Sequence, residues 1–200
     1  MNSRKVSIVL ATVIVLAACA PTRAGAPPQA ATPVPATPVP VKPTPAATTT
    51  GQDPRNATYI INGQPFTLVS GVAEQPAAPG SAEKFVTQYF GNTVEVDLNS
   101  DGKLDSGFLL TQTTGGSGVF FYAAAATQNP DGSYQGTNAI FLGDRIAPQS
   151  TNVDPNNPAQ FIVNYADHAP GEPMSAQPTQ GVSKSFKLDN GTLVEVPPAP

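Results

Sequence analysis

Tryptophan is absent from this chain of 200 residues, and cysteine and histidine occur once each. A single cysteine cannot form a disulfide within the chain, which excludes a disulfide-stabilised scaffold. Charged residues account for only 12% of the sequence and no basic run occurs, which argues against a nucleic-acid partner. The formal charge of −4 becomes −6 when Arg4 and Lys5 are removed with residues 1–18.

Glycine and proline are abundant, with 17 and 23 residues. This composition favours short strands joined by many turns over helices. The N-terminal quarter differs from the rest and leaves about 145 residues, enough for one domain with a hydrophobic core. The sequence therefore predicts a mainly β protein, with a single antiparallel β-rich domain of sandwich or barrel-like form over residues 54–197.

The N-terminal residues have the pattern of an export signal. Arg4 and Lys5 precede an uncharged apolar run at 6–18 that is short for a permanent membrane helix. The run ends in Leu16-Ala17-Ala18-Cys19, which resembles the lipobox of bacterial lipoproteins. The resemblance implies that residues 1–18 are a signal peptide cut before Cys19 and that the Cys19 sulfur is diacylated. A plain signal peptide followed by a chance cysteine is the alternative.

The same resemblance implies a location. Acylated Cys19 would anchor the chain to the bacterial cell membrane or outer membrane, with the domain in the periplasm or outside the cell. Ala20 rather than Asp follows the cysteine, which by resemblance to lipoprotein sorting rules favours the outer membrane in a cell that has two. Because acylation uses the only thiol, a bound metal is one available source of extra stability for the exported domain.

Residues 19–53 are predicted to be a disordered linker rich in proline, alanine and threonine. The sequence Ala-Thr-Pro-Val-Pro occurs twice in it, at 31–35 and 36–40. Such a segment favours extended polyproline II, at roughly 3.1 Å per residue, so about thirty residues reach on the order of 90 Å. The linker would hold the domain away from the membrane.

Strands are predicted from apolar segments bounded by turn residues. Asn62-Gly63 between 58–61 and 66–69 indicates a two-residue hairpin turn, and Gly91-Asn92 indicates a turn between 85–90 and 93–97. The run 119–126 does not alternate, which favours a central strand covered on both faces, with a short buried helix as the alternative. Further strands are predicted at 107–112, 134–142, 161–166, 182–188 and 192–196, with a polar turn at 152–158.

The segment 97–105 has oxygen-bearing side chains at alternating positions and a glycine at its turn. These side chains belong to Asp97, Asn99, Asp101 and Asp105. Closely spaced carboxylate and carbonyl oxygens suit a hard cation such as Ca²⁺. A twelve-residue EF-hand loop is disfavoured, because its twelfth position is Phe108 and both flanks have strand character.

The segment resembles the Asp-x-Asn-x-Asp-Gly-x-x-Asp calcium loop of FG-GAP and VCBS-type repeats, which lies in a β-hairpin. The resemblance implies side-chain ligands at Asp97, Asn99, Asp101 and Asp105, a backbone carbonyl ligand at Lys103 and a turn at Gly102. It covers only about fifteen residues and has no second copy, so it extends to the loop and not to a propeller fold.

A metal-free turn is the alternative for this loop, because Asp, Asn and Gly favour Asx-turns. Three carboxylates confined to one small loop repel each other, and Ca²⁺ would remove that cost. The expected affinity is that of extracellular modules, with a Kd of about 10⁻⁴ to 10⁻³ M.

The sequence contains no recognisable catalytic constellation. The single histidine, His168, follows Asp167, which suggests either a general base or metal ligand, or a surface loop held by two prolines. A carboxylate pair for glycoside cleavage would combine scattered residues such as Glu95 and Asp144. If the protein is an enzyme, several side chains should converge in one pocket. If it is a binding module, they should lie on separate loops. These side chains are Asp144, Arg145, Asp167, His168 and Glu172.

Residues 57–196 as a whole resemble a group of small exported bacterial proteins. The shared segments are Tyr-Phe-Gly-Asn at 89–92, the Asp/Asn loop at 97–105 and Asn-Tyr-Ala-Asp at 164–167. The resemblance implies a single β-rich domain and no particular activity. We therefore expect an envelope lipoprotein with a calcium-stabilised, non-enzymatic binding or structural domain, whose partner is an envelope protein or a glycan. The alternative is a cell-envelope hydrolase with an unrecognised carboxylate-based site.

Overall fold

The computed structural model describes residues 52–197. The predicted signal peptide at 1–18, Cys19 and the linker as far as residue 51 lie outside this range. About 60% of the described residues are in strands. The helical content is one 3₁₀ turn at Pro54–Asn56, where the Asp53 side chain accepts a hydrogen bond from the Arg55 N–H. Nothing helical within 52–197 has the length and apolarity that a bilayer span requires.

Twelve strands make up the described part of the chain. They are β1 (Thr58–Ile61), β2 (Gln64–Thr67), β3 (Val72–Pro76), β4 (Lys84–Val96), β5 (Asp105–Thr113), β6 (Phe120–Gln128), β7 (Tyr134–Gly136), β8 (Ile140–Asp144), β9 (Ala147–Asp154), β10 (Asn157–Asp167), β11 (Gln180–Asp189) and β12 (Thr192–Val196). Every pairing between them is antiparallel.

The strands form three layers. The middle layer has the order β3-β4-β5-β6-β7, with β8 also paired to β6. One of its faces packs on a four-stranded sheet of order β12-β11-β10-β9, and the other packs on the β1–β2 hairpin. The three sheets stay open and none closes on itself. The prediction of a mainly β, antiparallel fold is confirmed.

Strand β6 is buried on both faces, which explains why its sequence does not alternate. Six consecutive residues from Phe121 to Ala126 are buried. Those at 121, 123 and 125 pack towards the four-stranded sheet, and those at 122, 124 and 126 pack towards the hairpin. A strand covered on both sides has no polar face, so periodicity disappears. The prediction of a central strand at 119–126 is confirmed over the helical alternative.

The β1–β2 hairpin forms at the predicted turn, because its turn residues accept positive φ angles, although its second strand is at 64–67 and not at the predicted 66–69. Ile61 pairs with Gln64, which leaves Asn62 and Gly63 as the two turn residues, with φ of 51° and 78°. This backbone matches a type I′ turn, whose twist suits two antiparallel strands. The hairpin buries Tyr59 and Ile61 against the middle sheet.

The predicted turn at Gly91-Asn92 is wrong. Residues 84–96 form the single strand β4, and the pairing with β5 shifts between Phe90 and Val94. Gly91 has a φ of +77°, and the Asn92 side chain donates to the Thr151 carbonyl oxygen at 3.1 Å. The two residues therefore form a bulge that is held by the neighbouring sheet, where the sequence alone indicated a chain reversal.

The structure also differs from the sequence prediction in three other places. The single strand predicted at 134–142 is two strands, β7 and β8. Strands β3 and β9 were not predicted, and the polar turn expected at 152–158 covers the end of β9 and the start of β10. Strands β3 and β9 each lie at a sheet edge and bury only one residue, Ala73 and Thr151 respectively. Edge strands with so few buried positions lack the apolar alternation on which sequence prediction depends.

Asn138, between β7 and β8, connects all three layers. Its side chain accepts from the Leu193 N–H at 2.8 Å and donates to the Leu193 carbonyl oxygen at 3.0 Å, so it pairs with β12 like a strand residue. The residues on either side of it bond to the main chain of Ile60 in the hairpin, through the Thr137 carbonyl oxygen and the Ala139 N–H. The split of the predicted strand at 134–142 follows from this connection.

We predict that Asn138→Ala destabilises the described domain. Loss of the side chain leaves the half-buried N–H and C=O of Leu193 without their partners, which costs about 1–3 kcal/mol. Urea unfolding gives the change in the free energy of unfolding. Asn156→Ala, in the exposed turn after β9, is the matched control and is expected to change stability by less than about 0.5 kcal/mol. Equal effects of the two variants would contradict the role of Asn138.

Candidate metal site

The predicted calcium loop connects β4 to β5, as a strand-to-strand connection. At the end of β4, Val94 and Val96 are buried and Glu95 is exposed, as the alternation predicted. Asp97 follows on the solvent side and is only half-buried. Ser100 and Gly102 have positive φ angles of 60° and 83°, and together they reverse the chain. The strand flanks confirm that this is not a helix-flanked EF-hand loop.

Backbone N–H groups of the loop point at its own side-chain oxygens. The Asp101 N–H donates both to Asp97 Oδ1 at 3.1 Å and to Asn99 Oδ1 at 3.0 Å. The Gly102 N–H donates to Asp97 Oδ2 at 2.9 Å. The Lys103 N–H donates to Asp101 Oδ1 at 2.8 Å. Because they share one donor, the oxygens of Asp97 and Asn99 lie close together at the mouth of the turn.

Asp105, the last predicted ligand, is fully buried. Its Oδ2 accepts from the Leu98 N–H at 3.0 Å, and its Oδ1 accepts from the Gln128 N–H at 2.9 Å. Burial raises the pKa of the Asp105 carboxyl, the two N–H donors oppose that rise, and the charges of Asp101 and Asp97 add to it. Asp105 thus ties the start of the loop to the end of β6. Sequence reasoning missed the Gln128 contact, because a main-chain donor has no signature in the residue type.

No ion pair within residues 52–197 neutralises the three aspartates of the loop. The ion pairs of residues 52–197 join other groups, and none includes Asp97, Asp101 or Asp105. The charges of Asp97 and Asp101 both raise the pKa of Asp105, because each lies close enough to repel that carboxylate. The loop thus carries three carboxylates and one cation, Lys103, and no ion pair within residues 52–197 neutralises the carboxylates.

Two observations bear on whether the loop fits a metal ion. Within residues 52–197, no three side chains of the types His, Cys, Asp and Glu are already gathered as a metal site would require. The loop oxygens are instead turned towards backbone N–H groups, as in a metal-free Asx-turn. A carboxylate has about four acceptor positions, however, so these hydrogen bonds leave lone pairs for a cation. An all-oxygen donor set of this kind fits Ca²⁺.

The other candidate side chains make local hydrogen bonds and ion pairs. Asp144 accepts from the Val119 N–H at 2.9 Å and pairs with the adjacent Arg145 at 2.9 Å. Asp167 accepts from the His168 N–H, and Glu172 accepts from the Ala169 N–H, each at 2.8 Å. Each carboxylate thus makes a local hydrogen bond. Both ring nitrogens of His168 are buried and have no hydrogen-bond partner among the described residues.

The sheet register keeps the proposed carboxylate pair apart. Glu95 pairs with Ser106, which in turn pairs with Ala126 of β6. Asp144 pairs with Phe120, at the other end of β6. At about 3.4 Å per residue, Phe120 and Ala126 are about 20 Å apart, whereas glycosidase carboxylates are separated by about 5–9.5 Å. Glu95 and Asp144 are therefore not a catalytic pair.

Comparison of the chain with models of protein families, with curated protein sequences and with solved structures found no match.

Proposed function

We propose that this protein is an envelope lipoprotein, anchored through acylated Cys19, whose β-rich domain is a calcium-stabilised, non-enzymatic binding or structural module. The calcium assignment rests on the three aspartates at 97–105, which form no ion pair within the described residues and of which Asp97 and Asp101 raise the pKa of Asp105. The side chains of Asp97, Asn99, Asp101 and Asp105, with the Lys103 carbonyl, would hold the ion. A bound Ca²⁺ would supply the missing positive charge.

The expected gain in stability follows from binding linkage. A ligand that binds only the folded state stabilises it by RT ln(1 + [L]/Kd). For a Kd of about 10⁻⁴ to 10⁻³ M, calcium in about 10- to 100-fold excess over Kd contributes about 1.4–2.7 kcal/mol. Such a gain raises the Tm of a domain of this size by several degrees.

We predict that the Tm is several degrees higher in excess CaCl₂ than in EDTA. Asp101→Asn should lose this difference, because the amide keeps the hydrogen bond to the Lys103 N–H but removes one of the three charges. Asp131→Asn is the matched control, since Asp131 also accepts hydrogen bonds in an Asp-Gly turn and lies outside the predicted ligands. It should keep the full calcium effect. Differential scanning calorimetry measures all three proteins.

An equal Tm in CaCl₂ and in EDTA for the unmodified chain would contradict calcium binding. A calcium effect that Asp101→Asn leaves unchanged would place the ion elsewhere. MgCl₂ at the same concentration tests whether the site prefers Ca²⁺. Mg²⁺ requires a tighter octahedral geometry than a flexible loop provides, so it should raise the Tm by less than CaCl₂ does.

The anchor is supported by Arg4, Lys5, the apolar run at 6–18 and the lipobox-like residues before Cys19. Two acyl chains hold a protein on a bilayer far more stably than one. The linker at 19–53 would then set the distance between the membrane and the domain.

We predict that Cys19→Ala moves the protein from the membrane fraction to the soluble fraction of a bacterial host, because the acylated sulfur is lost. Detergent phase partitioning and incorporation of labelled palmitate measure the anchor directly. Thr22→Ala, three residues further along the chain, is the control and should stay in the membrane fraction. Retention of Cys19→Ala in the membrane, with no label on the unmodified protein, would contradict lipidation.

The non-enzymatic part of the proposal is supported by the distance between the two carboxylates named in the alternative. The acidic side chains at 144, 167 and 172 each bond to a nearby N–H, and the register separates Glu95 from Asp144 by about 20 Å. Hydrolysis by the carboxylate pair named in the alternative would need these two groups much closer together. No observation favours the hydrolase over the binding module.

A further inference from the structure

An aromatic groove lies open on the face of the middle sheet that the β1–β2 hairpin partly covers. The hairpin packs over residues such as Ala124 and Ala126 of β6. Phe120 and Tyr122 lie at alternate positions of the same strand, on the same face, beside the hairpin turn at Asn62. The groove has a volume of about 370 Å³, within the range of small-molecule sites, about 300–1,000 Å³. It is lined by Asn62, Phe85, Gln112, Thr114, Phe120, Tyr122 and Phe141.

Phe141 is the exposed aromatic side chain of this groove. It lies on β8, opposite Tyr122 in the strand pairing, and is 50% exposed. Its ring centroid is 5.5 Å from that of Tyr122 and 6.3 Å from that of Phe120, at angles of 59° and 50°. The tilted rings offer apolar faces to a ligand, while the buried side chains behind them fix the position of Tyr122. An exposed aromatic ring at a pocket of this kind favours a ligand with a flat apolar face.

The polar atoms of the groove suit hydroxyl groups. Asn62 Nδ2 donates to Tyr122 Oη at 3.5 Å, and Gln112 Nε2 donates to Thr87 Oγ1 at 3.0 Å. No further hydrogen bond from the described residues reaches the Tyr122 O–H hydrogen or the amide oxygens of Asn62 and Gln112. Burial raises the pKa of Tyr122, so its hydroxyl stays protonated. The groove thus offers donors in the Tyr122 O–H and the second N–H of each amide, and acceptors in the two amide oxygens. This mixture matches hydroxyls, because each hydroxyl both donates and accepts.

The charge of the groove restricts the ligand further. None of the seven lining residues is charged, although residues 52–197 contain fourteen acidic and six basic residues. An anionic ligand would meet no basic side chain in the groove and a net negative domain around it.

A proline-rich peptide offers carbonyl acceptors and few N–H donors, which leaves the two amide oxygens of the groove unpaired.

We propose that this groove binds an uncharged glycan, with one sugar ring stacked on Phe141 and its hydroxyls bonded to Tyr122, Asn62 and Gln112. The inference rests on the proposed role of the domain as a non-enzymatic binding module and names its ligand class. It does not depend on calcium or on the lipid anchor.

The test is a titration of the isotope-labelled full chain with uncharged oligosaccharides, followed by amide chemical shifts. The probes are hexasaccharides of β-1,4-linked glucose, α-1,4-linked glucose and β-1,4-linked N-acetylglucosamine, with hexagalacturonate as the acidic control and a proline-rich peptide as the competing class. We expect at least one uncharged hexasaccharide to shift the amides around residues 120–122 and 140–142. The acidic sugar and the peptide should leave them unchanged.

Two variants assign the binding to the groove. Phe141→Ala should weaken binding about tenfold, because it removes the exposed stacking ring. Phe141→Tyr keeps the ring and should bind within about twofold of the unmodified chain. Phe90→Ala is the matched control, since Phe90 is 39% exposed on the same sheet but packs on Phe121 towards the opposite face. It should bind like the unmodified chain.

The inference would be overturned if no uncharged glycan shifted the amides, or if Phe141→Ala and Phe90→Ala weakened glycan binding equally. It would also be overturned if the peptide or the acidic sugar bound at the groove, or if the chain formed a dimer that Phe141→Ala dissociated. Cleavage of the bound hexasaccharide, seen by mass spectrometry, would contradict the non-enzymatic function and leave the groove assignment intact. A calcium effect on the Tm without glycan binding would leave the metal proposal standing and reject this ligand.

Discussion

The buried carboxylate of Asp105 is the constraint around which the candidate site is built. A carboxylate removed from water is costly unless hydrogen bonds satisfy it, and here the N–H groups of Leu98 and Gln128 do so. One of these donors belongs to the β4–β5 loop and the other to the end of β6. The carboxylate therefore fixes the loop against the middle sheet. The turn that carries Asp97, Asn99 and Asp101 is thereby held close to Asp105.

The rest of the fold follows from a middle sheet that is covered on both faces. β5 and β6 are buried on each side, so the layers must approach closely, and small residues make this possible. Gly107 is an example, because a Cβ there would lie 2.9 Å from the Phe161 ring. Asn138 then joins the middle sheet to the hairpin and to β12 through hydrogen bonds. The hairpin covers only part of its face, and the uncovered part is the aromatic groove that includes Phe141.

Local signals in the sequence predicted much of this structure. Asn62-Gly63 predicted its hairpin because the turn needs positive φ angles, and the non-alternating run at 119–126 predicted a strand buried on both faces. Gly91-Asn92 has the same local signal but forms a bulge, because pairing with β5 and the Asn92 contact to Thr151 override it. The loop position and its oxygen-bearing residues were also predictable. The burial of Asp105, its contact with Gln128 and the groove depend on strand register, which residue types alone do not encode.

Amide hydrogen exchange of Leu98 and Gln128 tests the central claim most directly. Both N–H groups should exchange slowly in the unmodified chain, even in EDTA, because each donates to the buried Asp105 carboxylate. In Asp105→Asn, whose amide can accept through only one oxygen, at least one of them should exchange much faster. Asp154→Asn, at the partly exposed last residue of β9, whose side chain accepts the Asn156 N–H, should leave both unchanged. Fast exchange of both amides in the unmodified chain, or rates that Asp105→Asn does not alter, would contradict the account.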